Sequence, residues 1–146
     1  MTALDIEIYA RRMEELMEAF SKITQKVNPI DMKSLDITLP QFMVMKYLSR
    51  NDNCRMSDLS DAMSVTMGNM TGMVDRLVRE GYVKRSEDPE DRRIVRVVLT
   101  KKGKDAAARI SEHRIKGIMH MFAVLSEGEI RTLFSIMEKI AKGRVK

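Results

Sequence analysis

The apolar spacing of this 146-residue chain changes period at Gly81 and changes back at Thr100. Up to Gly81, apolar residues return every third or fourth position, which marks helices that turn one face inward. From Tyr82 to Arg85 and from Ile94 to Leu99 the chain is rich in β-branched and aromatic residues. Val95, Val97 and Leu99 alternate there with Arg96, the period of a strand. The polar stretch from Ser86 to Arg93 joins the two runs as a hairpin. The expected fold is mainly α, with one small two-stranded β wing set between helices.

Stripes and end signals place the helices. Ile6, Tyr9, Met13, Leu16, Phe20, Ile23, Val27 and Ile30 form one long amphipathic stripe. Asn28-Pro29 stops it, because proline lacks an amide donor and disfavours helical geometry in the residue before it. Thr38 then reads as a cap, with Pro40 in the first turn and Gln41 three residues on. It leads into Phe42, Met45 and Leu48 and an end near Asn51-Asp52-Asn53. Ser57 is the expected cap of a third helix through Leu59, Ala62 and Met63. Ser64-Val65-Thr66 separates it from a fourth, which carries Met70, Met73, Val74, Leu77 and Val78 on one side and stops at Gly81. Two short helices across such a turn make a helix-turn-helix, and a hairpin directly after it is a wing. Thr100 caps a fifth helix that runs through Ala106, Ile110, Ile118 and Phe122. Ser126 and Glu129 make a capping box that opens a sixth through Ile130, Leu133, Phe134, Met137 and Ile140.

Composition narrows the function. With 44% hydrophobic and 32% charged residues, three prolines and seven glycines, the chain is one foldable unit, neither disordered nor collagen-like. Its longest apolar run, Met121 to Leu125, is far short of the roughly 20 residues of a membrane helix, so no membrane partner is expected. Charges from Asp5 to Glu18 exclude the apolar core of a secretory signal. The single cysteine, Cys54, allows no intrachain disulfide, and a reducing cytoplasm is the expected location. The net charge of +5 lies downstream: residues 55–104 and 105–146 each carry +3, which suits a polyanionic partner and equally suits mere solubility. The sequence has no phosphate loop, dinucleotide fingerprint, nucleophile elbow or paired cysteines, so neither an enzyme, a catalytic residue nor a cofactor is expected.

On a helical wheel the fourth helix buries Met70, Val74 and Leu77. Gly68, Gly72, Asp75 and Arg79 fall opposite, flanked by Asn69, Thr71 and Arg76. Each outward glycine costs about 1 kcal/mol relative to alanine, so a reason for both is worth seeking. Close approach of another backbone supplies one: without a Cβ the helix can sink into a major groove while Asn69, Thr71 and Arg76 reach base edges or phosphates. Thr66, Gly68, Asn69, Thr71, Gly72 and Arg76, with Arg92 and Arg93 of the wing, are the candidate DNA-binding residues. The wing arginines suit a minor groove or flanking phosphates. Asp91 is the expected organiser of the loop, through an ion pair with Arg76 or Arg93. The alternative is a helical dimer whose winged lobe binds another protein, for which little salt dependence of DNA binding is expected.

The run Met63-Ser64-Val65-Thr66-Met67-Gly68-Asn69-Met70-Thr71-Gly72-Met73-Val74-Asp75-Arg76-Leu77 resembles the MarR family of bacterial and archaeal transcription regulators. So do Glu80-Gly81-Tyr82-Val83, Asp88-Pro89-Glu90-Asp91-Arg92-Arg93 and Val98-Leu99-Thr100-Lys101-Lys102-Gly103. The resemblance covers essentially the whole chain in length and element order. It implies a single domain over residues 1–146: a winged helix-turn-helix lobe at 38–100, and dimerisation helices at 1–35 and 105–146 that interlock in a homodimer. The long apolar stripe from Ile6 to Ile30, more than one small domain readily covers, agrees with that. Two recognition helices about 34 Å apart call for an inverted-repeat operator in double-stranded DNA, and occupying a promoter represses it.

The resemblance also implies a small-molecule effector, often aromatic, bound between the dimerisation helices and the DNA-binding lobe, where it changes the spacing of the recognition helices. Met13, Phe42, Met43 and Met45 are the candidate pocket residues, and methionine makes adaptable apolar pockets. Cys54 lies in an expected loop, whereas peroxide-sensing members carry their cysteine in the first helix. Glu112-His113 is similar to the zinc-sensing members, but Gly117 stands where a second histidine belongs, and His113 and His120 lie about 10 Å apart along a helix. No metal site is expected.

Overall fold

The computed structural model describes residues 3–27 and 35–143. Its elements are α1 (Ala3–Val27), α2 (Leu39–Arg50), β1 (Cys54–Arg55), α3 (Met56–Met63), α4 (Met67–Arg79), β2 (Val83–Glu87), β3 (Val95–Leu99), α5 (Lys101–Phe122) and α6 (Glu127–Lys142). The Asn28-Pro29 stop and Ile30 lie outside the described residues. The described residues divide into two compact units: the chain up to residue 29 together with that from 114 onward, and the chain from 30 to 113.

In the second unit, side chains from every element meet in one core. Phe42, Met45 and Leu48 of α2, Leu59 of α3, and Met70, Val74 and Leu77 of α4 are buried against Val83, Val97 and Ile110. Fully burying side chains of this size stabilises by about 1.5–3 kcal/mol each. The helix starts follow local chemistry. Thr38 accepts from the Gln41 amide while the Gln41 side chain accepts from the Thr38 amide at 2.8 Å, a complete capping box. Thr66 caps α4 by accepting from the Asn69 amide at 3.3 Å. Gly81 ends α4 at φ +78, a conformation that costs glycine nothing, and lets the Tyr82 amide reach the Leu77 carbonyl at 2.8 Å.

The sheet departs from expectation. It has three antiparallel strands in the order β1-β3-β2, not two. β2 and β3 pair from Val83 with Leu99 to Glu87 with Val95, and on the other edge of β3 Cys54 pairs with Val97 and Arg55 with Arg96. Cys54 is therefore a buried strand residue rather than a loop residue. The same pairing overturns Ser57 as a cap: β1 delivers the chain directly into α3, whose N-cap is Arg55 with no side-chain capping bond.

In the first unit, Ser126 and Glu129 form the expected capping box at the start of α6, and Phe122 meets Phe134 edge to face at 5.9 Å between centroids. Not one described residue of α6 is buried. Ile6, Tyr9, Met13, Leu16, Phe20 and Ile23, the described part of the α1 stripe, are all exposed.

Candidate nucleic-acid interface

Packing of Met70, Val74 and Leu77 into the core turns the opposite side of α4 outward, and Gly68, Asn69, Thr71 and Gly72 are exposed there. A Cβ added at Gly68 or Gly72 would meet nothing within 4 Å. The protein's own fold therefore gives no steric reason for either glycine. Thr66 spends its hydroxyl oxygen on the cap, and Thr71 donates its hydroxyl to the Met67 carbonyl at 2.8 Å.

Two charged side chains of α4, Asp75 and Arg76, are tied to neighbouring segments. Asp75 pairs with Arg85 of β2, and Arg85 also donates to the Thr71 carbonyl at 3.4 Å. Arg76 is half-buried and pairs at 2.8 Å with Asp36, just ahead of α2. Tyr82 adds a second tie there, its hydroxyl donating to the Leu35 carbonyl at 3.0 Å. Burial, then the nearby Glu80 and Asp36 carboxylates, raise the Tyr82 phenol above its ordinary pKa.

At the wing tip Asp91 accepts from the Arg93 amide and from its guanidinium Nε and Nη2, each at 3.0 Å. Of the two partners expected for Asp91, the pair forms with Arg93 and not with Arg76. The Arg93 guanidinium and amide hold the Asp91 carboxyl below its usual range, and Asp91 in turn raises the Arg93 pKa. Arg92 sits 3.9 Å from Glu87, and the side chains of Arg92 and Arg93 are 91% and 90% exposed.

Asp88, which sequence reasoning did not single out, is buried beneath them. It accepts from the amides of Glu90 at 2.9 Å and Asp91 at 3.3 Å and pairs with Arg96, whose Nη1 donates to the Asn53 carbonyl at 2.8 Å. The Glu90 amide first, then the Arg96 guanidinium, with a smaller share from the Asp91 amide, pull its pKa down. Asp-Pro before two further acids was the available signal, since aspartate readily caps its own turn.

Between the start of α4 and the wing runs a groove of about 490 Å³. Arg55, Arg85 and Arg93 line it with Ser57, Thr71 and the apolar Met56, Met67, Ile94 and Val95. The geometry presents a hydrogen-bonding, glycine-faced helix beside a hairpin of mixed charge whose tip exposes Arg92 and Arg93, groups that a groove and its phosphates can use.

The candidate effector residues are placed differently. Phe42 and Met45 are buried together in the winged unit's core, Met43 lies on the exposed side of α2, and Met13 is exposed on α1. Burial first, then Asp58, pushes the Cys54 thiol up. Among the described residues no three His, Cys, Asp or Glu side chains gather to hold a metal ion, and no helix is long and apolar enough to cross a membrane.

Comparison with known proteins places this geometry. The model of the MarR family matches residues 37–95, the span from the start of α2 into β3. An uncharacterised HTH-type transcriptional regulator of Bacillus cereus is 30% identical over 112 residues, covering 76% of this chain and 74% of that protein. The HTH-type regulator YfiV of Bacillus subtilis is 33% identical over 106 residues, 70% of this chain and 66% of YfiV. The crystal structure of Streptococcus pneumoniae FabT in complex with DNA superposes with a TM-score of 0.79 at 24% identity, over 92% of this chain and 95% of FabT, and shows the same fold. The chain belongs to the MarR family and is a transcriptional regulator with that family's winged DNA-binding fold.

Proposed function

We propose that this protein is a homodimeric repressor that occupies inverted-repeat promoter DNA in the cytoplasm and is released by a small, aromatic effector. The bare outer face of α4 carries this reading: two glycines with open space above them and exposed Asn69 and Thr71 between. In the proposed complex α4 enters the major groove, with Thr66, Gly68, Asn69, Thr71 and Gly72 against the bases or backbone. Arg76 contributes by exchanging Asp36 for DNA. Arg92 and Arg93 reach phosphates or a minor groove, with Asp91 holding the loop. FabT, whose fold this chain shares, is seen bound to DNA.

The dimer reading rests on residues 1–35 and 105–146, with 38–100 as the DNA-binding lobe of one functional domain. With no buried residue in α6 and the α1 stripe open, large apolar side chains stand exposed along both helices, the kind of surface that marks an interaction site. The effector reading uses Met13 and Met43, which are exposed, and Phe42 and Met45, which would have to change rotamer to admit a ligand.

Footprinting on the gene's own upstream region tests the assignment. Two protected stretches related by inverted symmetry, about one helical turn apart, are expected. No preference over a scrambled duplex at moderate salt would overturn it, and binding that ignores salt would instead favour a protein-binding lobe.

A further inference from the structure

The wing carries four carboxylates, Glu87 at the end of β2 and Asp88, Glu90 and Asp91 in the loop, and only one of them is buried. Asp88 turns inward, where its two oxygens meet three donors: the Glu90 amide, the Asp91 amide and the Arg96 guanidinium. Its own amide donates to the Ile94 carbonyl at 2.9 Å, and the Ile94 amide donates to the Asp91 carbonyl at 2.9 Å, which closes the loop from both sides. Arg96 stands on the central strand, and its second bond, to the Asn53 carbonyl, ties the carboxylate to the chain just before β1 and α3. Arg92 and Arg93 lie directly after the two amides that Asp88 holds.

We propose that Asp88 is the positioning residue of the wing: through Glu90, Asp91 and Arg96 it fixes the loop that aims Arg92 and Arg93 at the nucleic-acid backbone. The inference rests on the DNA-binding reading above. It makes a prediction opposite in sign to simple electrostatics. Deleting a carboxylate from a surface that faces phosphates strengthens binding if charge alone matters. Deleting Asp88 weakens it, because the freed loop disperses two cations.

The test uses the full chain and a fluorescein-labelled duplex of about 30 base pairs from the upstream region, titrated across about 50–200 mM potassium chloride. Asp88→Ala lowers affinity at least about fivefold and flattens the salt slope, as the Arg92→Ala/Arg93→Ala double variant does by about two contacts. Added to that double variant, Asp88→Ala has no further effect. Amide hydrogen exchange of the unbound protein supplies a readout independent of DNA: Asp88→Ala speeds exchange at Glu90 and Asp91 while the buried amides of α4 stay protected. Unchanged or tighter binding by Asp88→Ala overturns the proposal, as does equal weakening in both backgrounds or undiminished protection at Glu90 and Asp91. A wild-type chain that ignores the duplex while its variant loses that protection would sink the DNA reading and leave the loop-ordering role standing.

Discussion

At the wing, aspartates hold arginines in pairs, and their protonation sets a pH limit on order. The folded Asp88 and Asp91 carboxyls lie below the ordinary aspartate value of 3.8 because amides and guanidiniums favour the charged form. Groups depressed in this way add stability above the unfolded pKa and lose it as pH falls through the folded one. Carbon-detected titration should therefore place both carboxyl midpoints below the ordinary aspartate value, with the Glu90 and Arg93 amides losing protection as those carboxyls take up protons. Midpoints at or above 3.8 would contradict the pairing. The buried Cys54 thiol has the opposite bias. Held protonated by burial and by Asp58, it should react far more slowly with iodoacetamide in the native state than after denaturation, and equal rates would refute its buried place in β1 beside β3. The sequence offered Arg76 or Arg93 as partner for Asp91, and the one two residues away is the one that pairs. Arg76–Asp36 spans forty residues and Asp88–Arg96 depends on the hairpin closing, so only the folded chain brings those partners together.

Among the elements, those legible in advance announce themselves locally. Thr38 with Gln41 and Ser126 with Glu129 are capping boxes written within four residues, and Thr100, which accepts from the Gly103 amide at 3.0 Å, starts α5 by the same chemistry. Replacing Thr38 or Ser126 by alanine should cost about 1 kcal/mol in urea unfolding, and no change would deny the cap its role. The element missed, β1, is two residues long with no periodicity of its own. It exists because the outer edge of β3 offers amides and carbonyls to whatever chain passes, and its formation moves the start of α3 off Ser57. α1 and α6 pose the converse problem: their stripes were readable, but nothing in the single chain covers the described part of them, and the proposed dimer is what would. Tyr9→Glu combined with Phe20→Glu should convert a sedimenting dimer to monomer without unfolding the winged unit. A persistent dimer would remove α1 from the interface.

Across the whole molecule, one unit has a filled core and an exposed, glycine-bearing face of α4, while the other has long helices with open apolar faces. Periodicity marked the apolar faces and much of the core, but the division into these two units was not read from it. The contacts that orient α4 did not follow from it, since Asp75–Arg85 and Arg76–Asp36 join separate elements. In the proposed complex α4 lies so close in the groove that a methyl group is excluded. Thermal stability and duplex affinity measured together in the Gly68→Ala/Gly72→Ala variant test this most directly. Open space above both glycines and the better helix propensity of alanine, about 1 kcal/mol per site, predict a raised melting temperature. The groove predicts affinity reduced by about tenfold or more, since lost close approach costs on the order of 1.4 kcal/mol. Raised stability with undiminished binding would show that no backbone comes near this face.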